Sequence, residues 1–280
     1  MAYRFLVIGS DQRQYFFYKQ LQSKHYEVRM LEQSEEEKLE RSAKSCQLEK
    51  WSMAEAVEDS DVILLPVAGS AAYYNQMKDF LQSGQFVCGA NILGGQPPLT
   101  GVTYIEYMDS DAAAYENAVA TAEGTIALAI TMSSVNLAGN ESLVAGYGRC
   151  GEVLCEKLKA LDSTVTVVER SADCRARAKA HGLQTMDFAQ LSENVEKISA
   201  YSYIFNTVPA LIFSEKILCH TKEDAVILDI ASGDGGVDFK YCEKYGIQAK
   251  HALGLPGVYA PKTSAGILYD VLCQRLSLAE

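Results

Sequence analysis

The chain has 280 residues, enough for two domains of ordinary size, and its 48% hydrophobic and 22% charged content is that of a globular protein. A formal net charge of −11 without any basic cluster argues against binding to nucleic-acid phosphates. No apolar run approaches the roughly 18 residues of a membrane span and no leader pattern opens the chain, so a cytoplasmic protein is expected.

Residues 3–9, Tyr-Arg-Phe-Leu-Val-Ile-Gly, predict a strand closing on a glycine, and Ser10-Asp-Gln-Arg-Gln14 leads from it into a helix to about Lys24. This opening lacks the three glycines of a dinucleotide turn. Arg13 is a candidate to hold a substrate carboxylate through paired hydrogen bonds, and an exposed loop arginine is the other reading. Apolar runs at 28–31, 62–67, 86–88 and 102–107, with helical stretches between most of them, predict a parallel α/β sheet. The charged segment 32–50 reads as a solvated helix or loop without chemistry. Residues 111–132, rich in alanine, predict a long helix connecting two domains. On it, Glu123 is a candidate general base on condition that burial raises its pKa; a merely solvated glutamate is the alternative.

The segment Leu143-Val-Ala-Gly-Tyr-Gly-Arg-Cys-Gly151 then combines an apolar strand, a G-x-G-x-x-G turn and a helix start. Gly146 permits the tight turn, Gly148 lets a pyrophosphate approach the backbone, and Gly151 lets the helix pack on the strand, so these glycines with Arg149 and Cys150 form a candidate cofactor cradle. After a helix over 152–161, the run Thr164-Val-Thr-Val-Val-Glu169 suits a buried parallel strand. Glu169 lies 18 residues past Gly151. That is close to the roughly 20-residue spacing at which an acid accepts from the adenosine ribose hydroxyls of NAD. Arg170 beside it could instead pair with the 2′-phosphate of NADP, or simply solvate the strand end, and both cofactors stay open.

Helices at 172–181 and 237–245 with strands at 203–205, 225–230 and 248–253 complete a doubly wound domain. Asn206-Thr207-Val208-Pro209 follows one of these strands, where its polar groups would orient a nicotinamide ring; an ordinary proline-broken turn is equally open. Asp229-Ile-Ala-Ser-Gly-Asp-Gly-Gly236 reads as a ligand-approaching glycine loop or a flexible connection. Lys262, at the helix start Ala260-Pro-Lys-Thr263, would make a carboxylate site together with free N–H groups. The eight cysteines form no C-x-x-C pair and the four histidines lie far apart, so neither a metal site nor a disulfide framework is expected. Cys150 and Cys155 read as small packing groups.

These elements predict two doubly wound, Rossmann-like parallel-sheet α/β domains. Residues 1–130 form the substrate side, with a helix in 263–280 packing back on it, and 131–262 bind NAD(P). The active site is expected in the cleft between them, a plan shared with 2-hydroxyacid dehydrogenases.

The chain also resembles the A subunit of bacterial dipicolinate synthase over nearly its whole length. The likeness rests on Gly9-Ser-Asp-Gln-Arg-Gln14, Leu65-Pro-Val-Ala-Gly69, Thr121-Ala-Glu-Gly124, the glycine turn, Phe205-Asn-Thr-Val-Pro209, Gly235-Gly-Val-Asp-Phe239 and Gly254-Leu-Pro-Gly257 through Ala260-Pro-Lys-Thr263. The resemblance implies the last step of dipicolinic acid synthesis, a branch of the lysine pathway, in the mother-cell cytoplasm of a sporulating bacterium. It implies oxidation of a dihydrodipicolinate, or of its hydrated precursor, with NADP or NAD, within an oligomer and alongside a flavoprotein-like B subunit. A dicarboxylate substrate would give Arg13 and Lys262 their use. Two departures stand out: the family usually has a small residue where this chain has Glu169, and a proline after a basic residue where it has Gly233-Asp234. Two other readings are a 2-hydroxyacid-type dehydrogenase, for which His251 is the nearest candidate histidine, and a non-catalytic NAD(P)-binding regulatory subunit.

Overall fold

The computed structural model describes residues 3–9, 11–31 and 51–278. The chain forms two compact units, Met1–Glu116 with Pro256–Glu280, and Asn117–Leu255. The charged segment 32–50 lies outside the described residues.

The first unit is built on a five-stranded parallel sheet of β1 (Arg4–Ile8), β2 (Glu27–Leu31), β3 (Val62–Leu64), β4 (Phe86–Gly89) and β5 (Thr103–Glu106), in the order β2-β1-β3-β4-β5. Side chains alternate across a strand, so the continuous apolar run of β1 needs cover on both faces. Phe5 and Val7 meet Phe17 and Leu21 of α1 (Gln12–Ser23), together with Leu268 and Leu272 from the C-terminal segment. Leu6 and Ile8 meet Ala56 and Val57 of α2 (Met53–Glu58) and Tyr74 and Met77 of α3 (Ser70–Met77).

A long helix, α4 (Asp111–Met132), carries the chain into the second unit. There six parallel strands, β6 (Glu141–Ala145), β7 (Thr164–Val168), β8 (Gln184–Met186), β9 (Tyr203–Asn206), β10 (Val226–Asp229) and β11 (Gln248–His251), lie in the order β11-β10-β9-β6-β7-β8. Taken from β8, this is the strand order of a dinucleotide-binding sheet. Val144, Phe205 and Leu228 face Leu154 and Leu158 of α5 (Arg149–Ala160) and Ala122, Ile126 and Ala129 of α4. Leu143, Ile204 and Ile227 face Leu191 of α7 (Phe188–Glu193) and Ile217 of α8 (Glu215–Leu218).

Between α5 and α7 lies α6 (Ala172–Ala180), and beyond α8 come α9 (Phe239–Tyr245), α10 (Leu255–Tyr259) and α11 (Pro261–Leu276). The last of these packs against α1 in the first unit. The units divide at 116 and 255, against 130 and 262 in the sequence reading. The later half of α4 places its alanines in the second core, and the chain rejoins the first unit from Pro256. The strand β8, Gln-Thr-Met, has no apolar signal and escapes the sequence reading. No helix among the described residues is long and apolar enough to cross a membrane.

Candidate functional site

The glycine turn lies between β6 and α5, and each glycine has its own reason. Gly146 has φ +94°, and a Cβ there would overlap the Thr207 hydroxyl. At Gly151 a Cβ would overlap the Gly146 carbonyl, so only glycine lets α5 start this close to the strand. Gly148 is different: a Cβ would meet nothing within 4 Å. It is the N-cap of α5 and provides no side-chain acceptor for the first-turn amides. Open space over a helix start whose N-cap carries no side chain fits a pyrophosphate, which favours the positive end of the helix dipole.

Tyr147, between the two glycines, is fully buried. Its hydroxyl is 3.0 Å from His181 Nδ1, its carbonyl accepts from Arg177 at 3.1 Å, and the same guanidinium lies 5.4 Å from the ring centroid. Burial pushes the phenol up to about 12. Cys150 is half-buried and its thiol is pushed up by burial, which keeps it protonated and inert. Arg149 is exposed.

Glu169 follows β7 directly. One of its oxygens accepts from the Tyr147 backbone N–H and the other from that of Ser171, each at 2.9 Å. The acid is thereby fastened to the glycine turn. Arg170 is exposed, and Arg175 donates to the carbonyls of Glu169 and Arg170 at 2.6 and 2.7 Å.

Asn206 departs from the sequence expectation. Its amide is buried, donates to the Val208 carbonyl at 2.9 Å and to Asp229 at 2.8 Å, and accepts from the Val208 N–H at 3.2 Å. With both ends engaged inside the protein it shapes the turn and is not free to orient a ring. Thr207 donates to the Ala145 carbonyl at 2.9 Å and backs Gly146, while Pro209 is exposed. Asp229, read from sequence only as the start of a loop, is fully buried and accepts from Asn206, from the Ala231 N–H at 3.0 Å and from the Gly236 N–H at 2.6 Å. A cavity of about 670 Å³ opens beside this loop, lined by Pro209, Leu211, Ser232, Gly233, Asp238 and Lys240. His251 bonds the Ala231 carbonyl at 2.9 Å and stacks on Phe239.

In the first unit, Arg13 is buried with 3% of its surface exposed, which removes the exposed-loop reading. It forms an ion pair with Asp11, whose carboxylate accepts from Arg13 Nε at 2.8 Å and caps α1 through the Arg13 N–H at 2.6 Å. Gly257 lies against this pair: a Cβ there would stand 2.8 Å from Arg13 Nε and 2.9 Å from Asp11 Oδ2. Gln14 is buried and donates to the carbonyls of Ile8 and Leu64 at 2.8 and 3.1 Å, tying β1 to β3 at the point where strand order reverses. Its Oε1 is buried without a partner among the described residues. Lys262 is exposed in the first turn of α11, whose N-cap, Ala260, has no capping side chain.

Glu123 lies on the exposed side of α4 and pairs with Lys157 at 2.9 Å. The burial on which its role as a base depended is absent. Among the described residues no group of three His, Cys, Asp or Glu side chains could hold a metal. Asp11, Gln14 and Asp229 are the residues that sequence reasoning missed. An N-cap aspartate two residues before an arginine was the only signal available for the first of them.

No family model matches the sequence. Over 173 residues the chain is 38% identical to the A subunit of dipicolinate synthase from Bacillus subtilis, a match spanning 62% of this chain and 57% of that protein. The crystal structure of the A subunit of dipicolinate synthase from Bacillus halodurans superposes with a TM-score of 0.82 at 27% identity, covering 100% of this chain and 99% of that one. The crystal structure of the Bacillus subtilis counterpart gives 0.77 at 27% identity, covering 99% and 96%. In sequence and in fold, the chain is similar to the A subunit of dipicolinate synthase, and the sequence match spans little more than half the length of that curated protein.

Proposed function

We propose that the chain oxidises dihydrodipicolinate, or its 4-hydroxy-tetrahydrodipicolinate precursor, to dipicolinate with a nicotinamide dinucleotide. The observation that carries this reading is the open backbone at Gly148, set between two sterically required glycines in a sheet of dinucleotide-binding order. The likeness to the A subunit of dipicolinate synthase supplies the substrate class.

Gly146, Gly148, Arg149, Cys150 and Gly151 would hold the pyrophosphate, Glu169 and Arg170 flank the adenosine ribose, and Thr207, Val208 and Pro209 border the nicotinamide end. Bound there, NAD or NADP supplies a hydride acceptor. Asn206 acts by holding the last turn in shape. In the first unit, Arg13 and Lys262 are proposed to meet the substrate carboxylates. Arg13 is preset by Asp11 and so loses little freedom when a carboxylate arrives. The relatives are named as one subunit of an enzyme, which points to a second chain, and we propose that it is a flavoprotein-like B subunit. The expected setting is the sporulating cell.

The test is to incubate the purified chain, with and without its B partner, with freshly made dihydrodipicolinate precursor and each oxidised cofactor. Appearance of dipicolinate with matching cofactor reduction supports the reading. No product under any combination sinks it.

A further inference from the structure

We infer that the chain selects NAD over NADP and that Glu169 makes the selection; this rests on the dinucleotide reading above. The sequence leaves the choice open because Glu169 and Arg170 are adjacent and pull in opposite directions. The structure separates them.

Both Glu169 oxygens are held by backbone N–H groups, those of Tyr147 and Ser171, at 2.9 Å. These donors are neutral, so they fix the carboxylate without cancelling its charge. Each carboxylate oxygen has two acceptor positions, which leaves one on each for a ribose hydroxyl. A 2′-phosphate would bring about two negative charges to the same carboxylate and offer it no proton to accept.

The two guanidiniums fastened to the turn do not offset this. Arg175 is directed at the carbonyls of Glu169 and Arg170. Arg177 donates to the Tyr147 carbonyl, lies over the Tyr147 ring and pairs with Glu152 at 3.4 Å. Both serve the backbone of the turn. Arg170 is exposed at the strand end, where solvent and salt screen its charge more than that of the half-buried, anchored carboxylate.

The position of the charge is also fixed by the turn itself. Tyr147 lies between Gly146 and Gly148, so the residue that anchors Glu169 is part of the loop proposed to receive the pyrophosphate. The carboxylate is therefore held at a set place beside the loop, and swinging it aside to admit a third phosphate would break both hydrogen bonds.

The experiment is calorimetric titration of the full chain with NAD and NADP, in wild type, Glu169→Gln and Glu169→Ala. Glutamine keeps an oxygen for one of the two N–H groups and removes the charge. The wild type is expected to bind NAD at least about tenfold more tightly than NADP, equivalent to about 1.4 kcal/mol. In both variants the ratio should collapse, mainly through tighter NADP. Because the ratio compares two ligands on one sample, partial unfolding of a variant cancels from it. NADP binding as tightly as NAD in the wild type, or an unchanged ratio in both variants, overturns the inference. Binding of neither nucleotide by the wild type is a different result: it overturns the dinucleotide reading and takes this inference with it.

Discussion

The side-chain amide of Asn206 donates to the carboxylate of Asp229 at 2.8 Å, joining the ends of two neighbouring strands, β9 and β10, whose registers pair these same two residues. Asp229 also accepts from two backbone N–H groups, so its removal would leave three buried donors without an acceptor. Each such donor costs about 1–3 kcal/mol. Asp229→Ala is expected to lower stability by roughly 4 kcal/mol, read from urea unfolding. Unchanged stability would mean that the loop finds other acceptors.

The three glycines of the turn are expected to separate folding from binding. Gly151→Ala drives a methyl into the Gly146 carbonyl and should cost about 1–3 kcal/mol of stability as well as nucleotide binding. Gly148 has φ −82° and open space around its Cα, so Gly148→Ala should leave stability within about 0.5 kcal/mol. The same variant should weaken dinucleotide binding at least about tenfold, because the methyl occupies the room left for phosphate. Thermal melts beside calorimetric titrations check both halves.

Gly257→Ala carries the argument to the first unit. Its methyl would press on Arg13 Nε and Asp11 Oδ2 together, and both groups are fixed by their own ion pair. Turnover of a dicarboxylate substrate is expected to fall about tenfold or more, some 1.4 kcal/mol in barrier, with the dinucleotide dissociation constant unchanged. A change in both constants would place the effect elsewhere.

Asp59 and Asp61 give the first unit an acid-sensitive edge. The Arg4 side chain holds the Asp61 carboxyl below its usual value of 3.8 by hydrogen bonding, and Arg29 does the same for Asp59. A carboxyl lowered in the folded state stabilises it above that usual value, and the contribution is lost as pH falls through the folded one. Melting temperature should therefore drop as pH is taken from about 5 to about 2, and less steeply in Asp61→Asn. Equal slopes for the two proteins would remove Asp61 from the effect.

Much of this was legible in the sequence because it is local. The turn from Gly146 to Gly151, the apolar run of β7 and the full extent of α4 follow from spacing and periodicity over fewer than about 25 residues. The residues that the sequence misplaced depend on neighbours far along the chain. Asn206 and Asp229 meet only because β9 and β10 are adjacent, and Arg13 is buried under a residue near position 257. Glu123 fails for the opposite reason: its helix is read correctly, but which side faces solvent depends on a core the sequence does not show.

The return of α11 to the first unit sets a schedule for folding. The second unit is one uninterrupted stretch, 117–255, and can close its sheet as soon as that stretch has left the ribosome. The first unit holds β1 and α1 ready from the start, yet Phe17 and Leu21 find Leu268 and Leu272 only when the last helix has been made. Until α11 has been made, β1 and α1 thus keep an apolar face open, which is the kind of surface that chaperones cover on a nascent chain.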